Sequence, residues 1–280
     1  MKITTIQERA YAKINLTLGV TGKRADGYHT LDSLMLTTSL ADEVTVTRSR
    51  EVIVTATGML LPYRNTLRAA AERYRALTGR GARIHVYKHI PAEAGLGGGS
   101  ADAAAVLRAM QRLYGEVEER DLYDIALRVG ADVPFCLKGG LCRARGIGEL
   151  LEPLPLGAPL HLVIAKPAAG VSTGALFSAL TLPRPQPETA RAMQALASGD
   201  AQALAKLLYN ALEPSAVALV PQIGRLIDEL LHLGALGARM TGSGSAVFGL
   251  FASEEAAARA ATVIRSHADC AFAAAVRSVA

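Results

Sequence analysis

An α+β fold in two layers is what this sequence predicts, and three observations carry the prediction. Its first sixty residues fall into short runs that are rich in β-branched residues and alternate apolar with polar positions. The remainder interleaves amphipathic helical segments with mostly short strands. No regular strand–helix alternation with a dinucleotide fingerprint points to a doubly wound parallel sheet.

The elements follow in order. Strands are expected at 10–20, 31–36, 43–47 and 52–57, with Asp26-Gly27 as a turn after the first. Asn65 is placed to cap a helix running to about residue 77, closed by Gly79. A strand at 83–90, a glycine loop and an Ala-rich helix come next. That helix keeps Ala103, Ala104, Ala105, Val106, Leu107, Met110 and Leu113 on a wide apolar face. A further helix at 118–129 stops at Gly130, and strands are expected at 135–137 and 140–145. Pro153 and Pro155 then mark a border, dividing the chain into domains 1–155 and 156–280. Beyond it lie a strand at 160–165 and helical stretches at 189–197, 201–209 and 222–233. Pro183, Pro185 and Pro187 precede those stretches and break the helical pattern. A strand at 246–251, a helix at 254–267 and a strand at 272–276 complete the chain, with no internal repeat.

Composition excludes several function classes. Of 280 residues half are apolar, enough for a core without disulfides. Cys136, Cys142 and Cys270 are odd in number and lack Cys-x-x-Cys spacing, which suits a reducing cytosol and argues against zinc. No apolar signal core or membrane-length run is present, so a cytoplasmic protein is expected, without membrane association. The net charge of +5 is scattered and there is no tryptophan, which argues against nucleic acid. A mild positive field would collect small anions.

The most telling segment is Pro91-Ala92-Glu93-Ala94-Gly95-Leu96-Gly97-Gly98-Gly99-Ser100, between a strand and a helix, with Ser100 as a capping-type residue. Backbone amides converging at a helix N-terminus, with no Cβ in the way, form an anion site. It is not a Walker loop, because no lysine follows the last glycine. Nor is it a dinucleotide or protein-kinase loop, whose companion motifs are absent. It has no cation of its own, so charge compensation comes from elsewhere. Lys13 is the candidate: on the strand around it Ala12, Ile14, Leu16 and Leu18 face one way, and Tyr11, Lys13, Asn15 and Thr17 the other. Asp132, in Gly130-Ala131-Asp132-Val133-Pro134, is held on a stiff loop because Pro134 forces Val133 to be extended. It is either a turn-former or a general base for an acceptor hydroxyl. A second Gly/Ser loop, Thr241-Gly242-Ser243-Gly244-Ser245, precedes a strand. Tyr28 and His29 follow the Asp-Gly turn, and Phe177 reads as core packing.

The order of these pieces resembles the GHMP kinase superfamily, which includes galactokinase, homoserine kinase and mevalonate kinase. Finer motifs are Ala12-Lys13-Ile14-Asn15-Leu16, Asp26-Gly27-Tyr28-His29, Ala144-Arg145-Gly146-Ile147-Gly148-Glu149 and Gly170-Val171-Ser172-Thr173. They resemble the branch that phosphorylates a cytidine-diphosphate-linked methylerythritol for isoprenoid precursors. The resemblance implies an N-terminal domain like the second domain of ribosomal protein S5 and a ferredoxin-like C-terminal domain, with the site between them. It implies ATP as phosphoryl donor with Mg²⁺ near Ser100, a small-molecule acceptor, and a monomer or weak homodimer. Asp132 would be the base and Lys13 its electrostatic partner. Pro91, Ala92, Ala94, Gly95, Leu96, Gly97, Gly98, Gly99 and Ser100 would hold the ATP phosphates. Asn15, Thr173, Thr241, Gly242 and Ser243 would line the substrate, with Tyr28 and Phe177 stacking on cytosine and His29 on its edge. Glu93 departs from the family pattern and would repel phosphate unless it points to solvent.

Overall fold

The computed structural model describes residues 4–182 and 184–279; Pro183 lies outside the described residues. The chain packs into two compact units, each drawn from three stretches. One comprises the stretch ending at Lys13, Leu40–Ile90 and Gly97–Lys138; the other comprises Ile14–Ser39, Pro91–Leu96 and Gly139 onward.

In chain order the elements up to residue 138 are β1 (Thr5–Lys23), β2 (His29–Ser49), β3 (Ile53–Thr57), α1 (Thr66–Thr78), β4 (Gly81–Tyr87), α2 (Gly98–Tyr114), α3 (Glu119–Val129) and α4 (Val133–Lys138). In the first unit β3 runs parallel to β4, and β4 pairs antiparallel with Glu43–Ser49 of β2. Alternate residues Val44, Val46, Ile84 and Val86 are buried, giving the sheet one apolar face. Helices α1 and α2 pack on β4 and on each other, and α3 and α4 pack on α2. The helix signals act as expected. The Asn65 side chain accepts the Arg68 N–H at 2.9 Å. At the other end of α1, Gly79 takes the left-handed conformation and its N–H closes on the Arg75 carbonyl.

Two expectations are corrected here. Residues 133–138 are helical, not a strand. The turn Gly130-Ala131-Asp132 feeds α4 directly, with the Cys136 N–H donating to the Asp132 carbonyl at 3.0 Å. Pro134 sits in the first turn, where its missing N–H costs nothing. Burial of Val133, Pro134 and Phe135 offsets the extended preference of a pre-proline residue. Ser100 is not the cap of α2 either: Gly97 occupies that position at φ +69°, and Ser100 lies inside the first turn.

The remaining elements are β5 (Leu141–Gly146), β6 (Leu150–Pro153), β7 (His161–Lys166), α5 (Thr173–Ala179), α6 (Thr189–Ser198), α7 (Ala201–Ala205), β8 (Tyr209–Asn210), α8 (Glu213–Leu219), α9 (Gln222–His232), β9 (Gly237–Met240), β10 (Val247–Phe251), α10 (Glu254–Ile264) and β11 (Phe272–Arg277). In the second unit β5 pairs antiparallel with Leu31–Leu36 of β2, and β8 lies parallel to Thr17–Leu18 of β1. The stretch expected as one helix over 201–209 breaks after α7 into β8. A second, four-stranded antiparallel sheet has the order β11-β7-β10-β9. Helices α9 and α10 pack on it. The succession β7-α9-β9-β10-α10-β11 with this order is the ferredoxin-like split arrangement.

Candidate active site

In the first unit Lys13 Nζ lies 3.4 Å from Asp132 Oδ2, an ion pair between a side chain 5% exposed and one 36% exposed. Both faces of β1 are buried around Lys13, so its stem is held and its charge is aimed. Gly97 packs directly on that stem, and a Cβ there would stand 3.0 Å from Lys13 Cγ. The first hydrogen bond of α2 is Ala101 N–H to Gly97 carbonyl. The amides of Gly98, Gly99 and Ser100 therefore have no partner within the helix, and no acidic side chain occupies its first turn. A cation, a carboxylate and amides with no partner inside their helix thus gather where strand, helix start and turn meet. Cys136, one turn beyond Asp132, is no nucleophile: burial first, then the Asp132 charge, pushes its thiol up to about 12.

Sequence reasoning missed a buried cluster behind the loop. Lys88 Nζ pairs with Asp42 and, at 2.7 Å, with Asp102 Oδ2. Asp42 also accepts the Ile90 N–H at 2.8 Å, while Asp102 Oδ1 has no hydrogen-bond partner. Burial, opposed by Lys88, pushes the Asp102 carboxyl up to about 7. Lys88 lies near Gly98, but two carboxylates claim its charge, so it is no substitute for Lys13. The signal was an aspartate among buried alanines of an apolar helix face, which requires a cation.

In the second unit Pro91–Leu96 is stitched to the Gly/Ser loop. The Ser245 and Ala246 amides donate to the Glu93 and Ala94 carbonyls, each at 3.2 Å, and Gly95 at φ +70° packs against the Thr241 carbonyl. The Glu93 side chain is exposed and lies over Gly170, as expected of a residue turned to solvent. Burial lowers the Lys166 pKa, and Glu93 opposes that shift. The Asn15 N–H donates to Thr241 Oγ1 at 2.9 Å and its Nδ2 donates to Ser33 Oγ at 2.7 Å. Thr173 Oγ1 and Ser243 Oγ are 2.7 Å apart. Asn210, not singled out in the sequence, donates from Nδ2 to the Met240 and Gly242 carbonyls at 2.8 and 2.9 Å.

The aromatic residues are arranged differently from the expected sandwich. Phe177 stacks on His29 with ring centroids 4.9 Å apart and an interplanar angle of 27°, leaving no room for a base between them. Phe177 also packs on the core that contains Leu176, alongside Leu180. Tyr28 is 59% exposed in the Asp26-Gly27 turn. Burial, then the charge of Lys23, lowers the His29 pKa, so the imidazole is neutral at pH 7.

The chain matches the GHMP kinases N terminal domain over residues 65–140 and the GHMP kinases C terminal domain over 192–270. It is 44% identical over 262 residues to 4-diphosphocytidyl-2-C-methyl-D-erythritol kinase of Desulfitobacterium hafniense, covering 91% of this chain and 90% of the relative. The enzyme of the same name from Symbiobacterium thermophilum is 42% identical over 269 residues, covering 91% and 94%. A crystal structure of 4-(cytidine 5'-diphospho)-2C-methyl-D-erythritol kinase superposes with a TM-score of 0.85 at 38% identity, covering 98% of this chain and all of that one. Homoserine kinase from Cytophaga hutchinsonii shares the fold, with a TM-score of 0.77 at 24% identity and coverage of 100% and 96%. The chain therefore belongs to the GHMP kinases and, within them, to the 4-diphosphocytidyl-2-C-methyl-D-erythritol kinase family.

Proposed function

We propose that this protein transfers the γ-phosphoryl group of ATP to the 2-hydroxyl of 4-diphosphocytidyl-2-C-methyl-D-erythritol, giving the 2-phosphate and ADP. The observation that carries this reading is the Lys13–Asp132 pair beside the N-terminal amides of α2. Asp132 takes the proton from a hindered tertiary hydroxyl, and Lys13 offsets the charge that grows on the transferred group. The amides of residues 98–100 hold phosphate oxygens, and in-line positioning supplies the rest, with no phosphoenzyme. Among the described residues no cluster of three or more His, Cys, Asp or Glu is placed to hold a metal ion. Mg²⁺ arriving with the nucleotide would be held on the protein side by the Ser100 hydroxyl and would offset negative charge on the phosphates. Pro91, Ala92, Ala94, Gly95 and Leu96 complete the phosphate loop in this reading.

On the acceptor side Asn15, Thr173, Thr241, Gly242 and Ser243 hold the polyol, and Tyr28, His29 and Phe177 hold the cytosine. The base then stacks on Phe177 where the His29 ring now rests, and His29 turns to the base edge. In sequence terms residues 1–155 carry Lys13, the phosphate loop and Asp132, and 156–280 carry the Gly/Ser loop, of what we read as a cytoplasmic enzyme. The test is ADP release with ATP alone, with the cytidine-linked alcohol, and with homoserine. Release that requires the cytidine-linked alcohol supports the reading. Release with homoserine, or none with any alcohol, overturns it.

A further inference from the structure

We propose that Arg108 is the positioning residue that sets the distance between Lys13 and Asp132, and this rests on the roles given to that pair above. Arg108 stands on α2, about two and a half turns beyond the phosphate loop. Its guanidinium reaches three acceptors on two other elements of the same unit. Nη2 donates to the Arg9 carbonyl of β1 at 3.0 Å, and Nη1 donates to the Cys136 carbonyl of α4 at 2.8 Å. Nε donates to Glu8 Oε2 of β1 at 3.1 Å. Arg9 lies four residues before Lys13 on the same face of β1, and Cys136 lies one helical turn after Asp132. One rigid fork therefore fastens the strand that carries the cation and the helix that directly follows the base to the helix that presents the amides.

The bonding pattern favours positioning over a surface ion pair. Two of the three acceptors are backbone carbonyls, which report the placement of β1 and α4 and not their side chains. The Cys136 carbonyl belongs to the last turn of a short helix, where it has no partner within the helix and a cation is favourable. An arginine can hold three acceptors in one plane, and a lysine cannot. Arg112 also pairs with Glu8, at 2.6 Å, but its side chain is 61% exposed and no bond from it to α4 is seen among the described residues. It is the internal control.

The experiment compares Arg108→Met, Arg108→Lys and Arg112→Met in the full chain. The readouts are the crystallographic Lys13 Nζ to Asp132 Oδ2 separation, melting temperature, kcat, and KM for ATP. In Arg108→Met the separation should grow by about 1 Å and kcat should fall about 100-fold, the usual cost of such a misplacement. KM for ATP should stay within about twofold, because the amides of α2 are untouched. Arg108→Lys, which keeps the charge and the stem, should fail to restore the separation or kcat, and Arg112→Met should match the wild type. An unchanged separation in Arg108→Met, or full recovery in Arg108→Lys, overturns the proposal. If Arg108→Met does not fold, Arg108→Lys decides alone: a wild-type separation there overturns it. Should the wild type not phosphorylate the cytidine-linked alcohol, the functional reading fails, and the separation still decides the role of Arg108.

Discussion

Lys13 can be aimed only because a residue without a side chain lies against it. Gly97 combines φ +69° with a backbone that a Cβ would bring within 3.0 Å of Lys13 Cγ. Gly97→Ala should cost about 1–3 kcal/mol in denaturant unfolding. It should also lower kcat beyond what that loss explains, because the lysine stem must move; a variant with wild-type kcat would show that the contact is slack. Asp132→Asn should fold and bind both ligands yet lose about two to four orders of magnitude in turnover, and retention of more than about a tenth would remove Asp132 from the role of base. Lys13→Met should lower kcat more than it raises KM for ATP. Strand alternation and the search for a missing cation made Lys13 legible in the sequence. Asp42, Lys88 and Asp102 were not legible as a group, since their pairing spans 46 and 14 residues and exists only after packing.

At the scale of the element, loops here are fixed by side chains that lie elsewhere in the chain. Asn210, at the end of two-residue β8, holds the Gly/Ser loop by two carbonyls, and its Oδ1 accepts the Leu212 N–H at 2.9 Å. Asn210→Ala should leave these groups unpartnered and cost about 1–3 kcal/mol of stability. With Thr241, Gly242 and Ser243 released, KM for the cytidine substrate should rise more than kcat falls; steady-state kinetics with an unfolding curve separates the two effects. Helix α1, with a clear cap at each end, was readable to within a residue, as was the span of α3. Helix α4 was not, because β-favouring residues around Pro134 spell a strand locally, and burial against α2 and α3 decides otherwise.

For the molecule as a whole, the buried carboxyl of Asp102 ties stability to pH. Its value rises from 3.8 to about 7 on folding, because burial outweighs the pull of Lys88. The folded state thus binds this proton more tightly than the unfolded state. The contribution is fully present below the unfolded value and is lost as pH rises through about 7. Asp102→Asn should flatten that decline relative to the wild type in unfolding free energies measured at several pH values; parallel curves would show that Asp102 is ionised throughout. The α+β class and the order of the motifs were legible because they follow from local periodicity. How the chain divides into compact units was not, since that depends on contacts between distant stretches. The passages between the units fall inside β1 after Lys13, inside β2 after Ser39, after Ile90, within the glycine loop after Leu96, and after Lys138, next to the left-handed Gly139 and Gly140. Several of these passages have no slack linker. A protease nick or gene split near residue 155 would therefore strand Ile14–Ser39 away from β8 and the ferredoxin-like sheet's loops. The two halves should be insoluble when made apart, recover activity only when co-expressed, and melt in the intact chain as a single transition.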